Sequence, residues 1–441
     1  MVESVLLLGV ITSICLLLSL TGFRAGGVLG VIFVGQSIYW FISYVLRPAV
    51  LLIYQPKPGV GDSVADWRIA AGGYDIAMPY ILQPIVWGLA AYMLLALGIT
   101  RFLAPKLRMS QHHGLEADRS TTFVLAYVTG WAFRALSELV GSSAALETLS
   151  GLAVVGAAGL IVFSSGNSRY RVLLIGGAIG GELLWSLLSA SKTPVIASGL
   201  ALALRWAIAG WTKKKIVLSL TIGAVGVLAF PALQSVKTSV ADAYVLNAAT
   251  ANYPPIVQPL MSLIRRFDLF SATTDATLLG PANWLSAEEF LNRIATSFIP
   301  QFFLAQSKIG VGTLWSTEVR AASLNVANND VSLAEGFIAE GYALNGLMGV
   351  IFGAIFVSVF AVLVTLMIKS TRLFMVSLGL LLVSFPVLFE RGILGTVEVT
   401  GKALQIAVLI WFLGILVQRA RYKPLRKQQR IRSDKLPSPK M

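Results

Sequence analysis

Glu340 stands in a run of apolar and small residues, Glu335-Gly336-Phe337-Ile338-Ala339-Glu340-Gly341-Tyr342-Ala343-Leu344-Asn345-Gly346. On a helix it has Gly336, Phe337, Ala343 and Leu344 as neighbours, so its carboxylate projects from an apolar surface. There it either completes a buried ion pair or abstracts a proton. Ser332 and Glu335 have the spacing of a capping box, which reads Glu335 as a helix cap before it is read as a contact to substrate. An arginine pair, Arg265-Arg266, lies in another apolar stretch at 256 to 270, followed by Arg293, Lys308 and Arg320. Guanidinium groups gathered in this way suit a phosphate-bearing ligand. Lys192, in Ser189-Ala190-Ser191-Lys192-Thr193, reads equally as an interfacial lysine or as a ligand for an anionic headgroup. Arg134 and Glu138, four apart in an apolar segment, form either a self-compensating pair or, through Arg134, a substrate contact. Glu182 follows Gly176-Gly177-Ala178-Ile179-Gly180-Gly181, whose glycines allow close helix packing, and needs a cation or a wet cavity.

What is missing narrows the chemistry further. The two histidines, His112 and His113, are adjacent in a basic loop, which leaves no imidazole base on the other side of the membrane and no histidine-rich metal site there. Cys15 is the only cysteine, so an intramolecular disulfide cannot form. No glycine-rich phosphate loop is present, so no nucleotide hydrolysis is indicated. The formal charge of +14 would suit nucleic acid only if the basic residues shared a soluble face. Here they gather in loops and in the tail beginning at Arg419, the pattern of a positive-inside bias, so no nucleic-acid partner is expected.

The elements that must position these residues are membrane helices. Of 441 residues, 56% are hydrophobic and 13% charged, more apolar surface than a water-soluble fold can cover. Apolar runs near 4 to 22, 27 to 54, 76 to 100, 122 to 140, 148 to 164, 172 to 190, 194 to 211, 216 to 233, 336 to 368, 373 to 389 and 403 to 419 predict about eleven spans. The first lacks a basic leader and is long enough to span, so it reads as a helix and not a cleaved signal. An all-α polytopic protein follows, in four parts: membrane helices in 1–230, a large partly helical external loop in 231–331, further membrane helices in 332–420 and a basic tail in 421–441. Alternation of the basic loops places the tail inside and the amino terminus outside. A loop of that length is too apolar for disorder and is expected to fold against the membrane. Within it, Ser286 caps a helix at 287 to 299 whose face of Phe290, Leu291, Ile294, Ala295 and Phe298 suits an interface, ending at Pro300.

Phe298-Ile299-Pro300 followed by Lys308, then Glu340-Gly341-Tyr342 leading to Asn345-Gly346 and Gly349, resembles the O-antigen and oligosaccharide repeat unit polymerases of bacterial envelopes. Ser191-Lys192 before an apolar span fits the same family. The resemblance implies a GT-C-like fold in the cytoplasmic membrane and an inverting, metal-independent transfer between undecaprenyl-pyrophosphate-linked oligosaccharides, donor and acceptor, at its outer face. It also implies a chain-length regulator and a flippase as partners. In that frame Arg265 and Arg266 neutralise the leaving diphosphate, Arg293, Lys192 and Lys308 assist, Glu340 is the base and Tyr342 touches sugar. The related ligases carry a histidine in their external region, which this chain lacks. A flippase or exporter for the same lipids, an O-antigen-type ligase, and a polyprenyl-phosphate-sugar glycosyltransferase, for which Asp62 and Asp66 would be the acidic residues, are the other readings. The flippase predicts charges deep in several spans.

Overall fold

The structure is a computed structural model and describes residues 1–58, 64–109, 117–141, 143–164, 168–189, 193–219, 221, 253–254, 257–300, 303, 308–324, 333–385 and 387–433. Among these residues every regular element is a helix, and seven helices are long and apolar enough to cross a membrane. They belong to α1 (Val2–Ala25), α2 (Gly27–Tyr54), α3 (Tyr74–Phe102), α4 (Ala117–Val140), α6 (Ser168–Leu188), α11 (Gly336–Ile368) and α14 (Ile393–Ser433). Three shorter apolar helices join them: α5 (Ala144–Phe163), α7 (Thr193–Ile208) and α12 (Leu373–Ser384). Most of the eighth expected span, at 216 to 233, lies outside the described residues. Antiparallel packing puts Arg24, Arg101, Arg205, Lys369 and Arg419 at one end of the bundle, called here the basic end.

Small residues set the closest helix contacts, as expected where lipid competes for apolar surface. Gly156 of α5 lies against the backbone of Tyr127 in α4, and a side chain there would collide with it. The glycine run of α6 behaves differently from expectation. Only Gly181 packs, against Tyr127, whereas Gly176, Gly177 and Gly180 face open space. Arg205 donates to the carbonyls of Ile161, 2.8 Å away, and Ser164, 3.2 Å away, at the C-terminal end of α5.

The ninth expected span is not one membrane helix. Asn345 (φ −156°, ψ 37°) and Gly346 (φ 55°, ψ −144°) break α11, and the positive φ at Gly346 is the left-handed region that glycine occupies without strain. Gly341 then lies against Gly349, and Phe337 against Gly353. In a continuous helix Phe337 and Gly353 would be ~24 Å apart. Residues 336–344 are therefore the first limb of a helical hairpin whose second limb, 347–368, runs to the basic end. The periodicity that predicts a helix cannot register this reversal, because both limbs are apolar.

The hairpin dips into the bundle. Phe337 packs on Trp40 and Tyr92, with ring centroids 5.6 and 6.2 Å away. Tyr92 lies ten residues, ~15 Å of rise, from the end of α3. Beside the first limb runs α9 (Leu269–Leu279), with Leu269 against Gly336 and with Ala272 and Ala276 in one cluster with Ala339 and Ala343. All residues of α9 from Leu269 to Ala276 are buried. So the segment expected to rest on the membrane as an external loop contributes a helix to the interior. Within the same segment, α10 (Ala287–Ser297) has the expected Ser286 cap, with the reciprocal Glu289 bond, and rests on α14 with Leu291 and Phe298 exposed.

Candidate functional site

Five consecutive residues, Glu390 to Leu394, where α13 (Val387–Glu390) passes into α14, gather the charged groups. Glu390 accepts a hydrogen bond from the Tyr39 hydroxyl at 3.0 Å and lies 3.8 Å from an Arg266 nitrogen. Arg391 donates to Glu335 at 3.0 Å, and the Gly392 amide to the same carboxylate at 3.3 Å. Glu340 accepts from the Leu394 amide at 3.0 Å, and a side chain at Gly392 would collide with its carboxyl group. Glu335 and Glu340 are both 0% exposed. They converge on the first turn of α14, whose free amides and positive dipole end offset carboxylate charge.

The sequence explains why this turn stands where it does. Gly392 stands just before α14, and glycine at this position leaves the space that the Glu340 carboxyl fills. From the other side, Gln36 donates to Leu388 O at 2.8 Å and Trp40 to Phe389 O at 3.1 Å, so α2 holds the turn through carbonyls left over by its short helix. Arg266 ends α8 (Gln258–Arg266), which the chain joins to α9 through Phe267 and Asp268. Asp268 caps α9 and forms an ion pair with the buried Arg47 of α2.

A second polar cluster lies further along α9. Asp275, 0% exposed, accepts from Arg68 at 2.8 Å and Arg320 at 2.8 Å, with Ser323 at 3.2 Å. Arg68 also holds Asp66 through two bonds of 2.9 and 2.6 Å. Burial pushes the Asp66 carboxyl up, but the Arg68 guanidinium more than offsets it and leaves Asp66 below its ordinary range. Arg320, expected among the cations suited to a phosphate, is held here by Asp275; neither Asp275 nor Arg68 stands out as a site by spacing, yet Asp275 is a lone carboxylate in Phe270-Ser271-Ala272-Thr273-Thr274-Asp275-Ala276, the same signal that singles out Glu340.

Several expectations change. Glu335 caps its helix without a side-chain bond to it and pairs with Arg391 instead, while Ser332 lies outside the described residues. Glu340 is fully buried and accepts from the Leu394 amide of α14, while its Oε2 has no partner among the described residues. Arg134 does not pair with Glu138, which is exposed. It forms two hydrogen bonds, of 2.7 and 2.9 Å, with Glu182 of α6, between the rings of Trp131 and Trp185. Arg293 lies on α10, Lys308 donates to Ile299 O, and Tyr342 lines a cavity beside α3. Lys192 falls outside the described residues. No group of three or more potential metal ligands occurs among the described residues.

No family model, curated protein or solved structure matches the chain.

Proposed function

We propose that the chain is a membrane glycosyltransferase that polymerises oligosaccharide repeat units carried on undecaprenyl diphosphate, with the 390–394 turn as its reaction centre. The basic end would face the cytoplasm of a bacterial inner membrane and the turn would open to the other side, where no nucleotide is at hand and a lipid diphosphate is the activated donor. The reading rests on one observation: Arg266 faces Glu390 at 3.8 Å, beyond hydrogen-bond length, in the looser of the two ion pairs at the turn. A diphosphate can take that guanidinium from Glu390 more readily than it can break the 3.0 Å Arg391–Glu335 pair.

The step then balances. An acceptor hydroxyl attacks the anomeric carbon of the donor glycan, and its proton passes to Glu390, freed from Arg266. The carbon–oxygen bond to the diphosphate breaks, and Arg266 with Arg265 stabilises the leaving charge. A single displacement inverts the anomeric centre. In this scheme Glu340 and Glu335 are positioning residues that fix the turn, and the role of base moves to Glu390. Purified protein given the lipid-linked repeat unit should form longer lipid-linked products, and Glu390→Gln should cut the rate at least about 100-fold, the span of a general base.

The Arg134–Glu182 pair inside the spans favours a second reading, a flippase for the same lipid. Movement of the intact lipid across vesicles without elongation supports that reading and rejects the polymerase.

A further inference from the structure

A cavity of about 420 Å³ opens where the outer part of α3 meets α9 and the turn of the α11 hairpin. Its wall includes Arg68, Tyr80, Gln83, Pro84, Thr277 and Tyr342. Gln83 is exposed and Tyr342 half-buried, and neither side chain makes a hydrogen bond to another described residue. At this height on apolar helices lipid tails would not satisfy such groups. Pro84 has no amide hydrogen, so the Tyr80 carbonyl in the same wall loses its usual helical donor. Amide, phenol and carbonyl together offer both donors and acceptors.

Charge decides what would use them. Arg68 is the cation of the wall, but Asp66 and Asp275 hold it, and Arg320 shares Asp275. Two arginines against two aspartates leave the wall neutral, which suits neutral hydroxyl groups over phosphate. Tyr80 and Tyr342 add aromatic faces, against which the apolar face of a sugar ring packs. Thr277 lies eight residues past Leu269, ~12 Å along α9 from the turn that follows Arg266. A glycan attached to a diphosphate at Arg266 spans that separation.

We propose that this cavity is a glycan subsite that binds the sugars next to the lipid diphosphate and so selects which lipid-linked repeat unit is used. The assignment rests on the diphosphate site of the proposed function and adds the residues that read the sugar. The test uses the full chain in lipid nanodiscs with two probes, bare undecaprenyl diphosphate and the undecaprenyl-diphosphate-linked repeat unit extracted from the producing cell, with binding read by native mass spectrometry. The wild type should hold the glycosylated lipid at least about tenfold more tightly, a difference of about 1.4 kcal/mol. Gln83→Ala and Tyr342→Phe should each reduce that preference severalfold, and Thr277→Trp, which fills the cavity, should remove it, all with bare-lipid binding unchanged. A preference that survives all three variants, or a wild type that binds the two lipids equally, overturns the subsite. Variants that lose both lipids together also overturn it, since the wall would then be structural. A wild type that does not bind bare undecaprenyl diphosphate rejects the diphosphate site instead, whatever its response to sugars.

Discussion

Gly341 and Gly349 lie backbone against backbone across the α11 hairpin. A methyl group on Gly341 would stand 2.5 Å from the Gly349 carbonyl oxygen, and one on Gly349 would collide with the Gly341 carbonyl. This contact sets the depth of the first limb, and with it the height of Glu335 and Glu340 beside the 390–394 turn.

Gly341→Val should therefore destabilise the protein by about 1–3 kcal/mol, the usual cost of overpacking. Gly9→Val on α1, where nothing lies within 4 Å, should leave the melting temperature unchanged. Equal melting temperatures for the two variants would refute the hairpin.

Asp275 is the shared partner of Arg68 and Arg320, and removing its charge leaves two guanidinium groups uncompensated. Asp275→Asn should cost on the order of 3–5 kcal/mol, as measured for broken buried pairs, and show as early thermal unfolding in detergent. A variant as stable as the wild type contradicts the network.

Acid should act on the same network through Asp66. Its carboxyl titrates below its ordinary range when folded, so its contribution is present above that range and is lost as pH falls through the lowered value. Asp66→Asn should lower stability at neutral pH and flatten the acid limb of the stability profile. An unchanged acid limb would show that Asp66 does not carry it.

The Arg134–Glu182 pair is satisfied within the bundle and lies away from the 390–394 turn in sequence and in contacts. Arg134→Glu alone should destabilise the chain, and adding Glu182→Arg should restore it. The double variant should also make polymer of normal length. A stable double variant without polymer would move Arg134 into the site.

How far the sequence reveals this depends on what each residue's signal requires. The apolar runs mark most of the long apolar helices, because span length is a property of composition, but α14 begins at Ile393 and not near 403, and α12 ends at Ser384 and not near 389. Ser286 and Glu289 show the start of α10, because a capping box is local. Glu340 and Arg266 attract notice as charges in apolar surroundings, and the structure brings both to one turn. Their partners are not legible. Leu394 lies 54 residues from Glu340, and Glu182 lies 48 from Arg134, whereas spacing rules connect residues three or four apart. The hairpin is hidden for a related reason, since hydropathy registers how apolar a segment is and not the direction in which it runs.

The most direct measurement is envelope polymer in cells whose only copy carries Arg266→Ala, with the amount of protein in the membrane read alongside. The account predicts wild-type protein levels with no polymer beyond single repeat units, and partial recovery with Arg266→Lys, which keeps the charge but not the bidentate fork. Polymer of normal length from Arg266→Ala would contradict it.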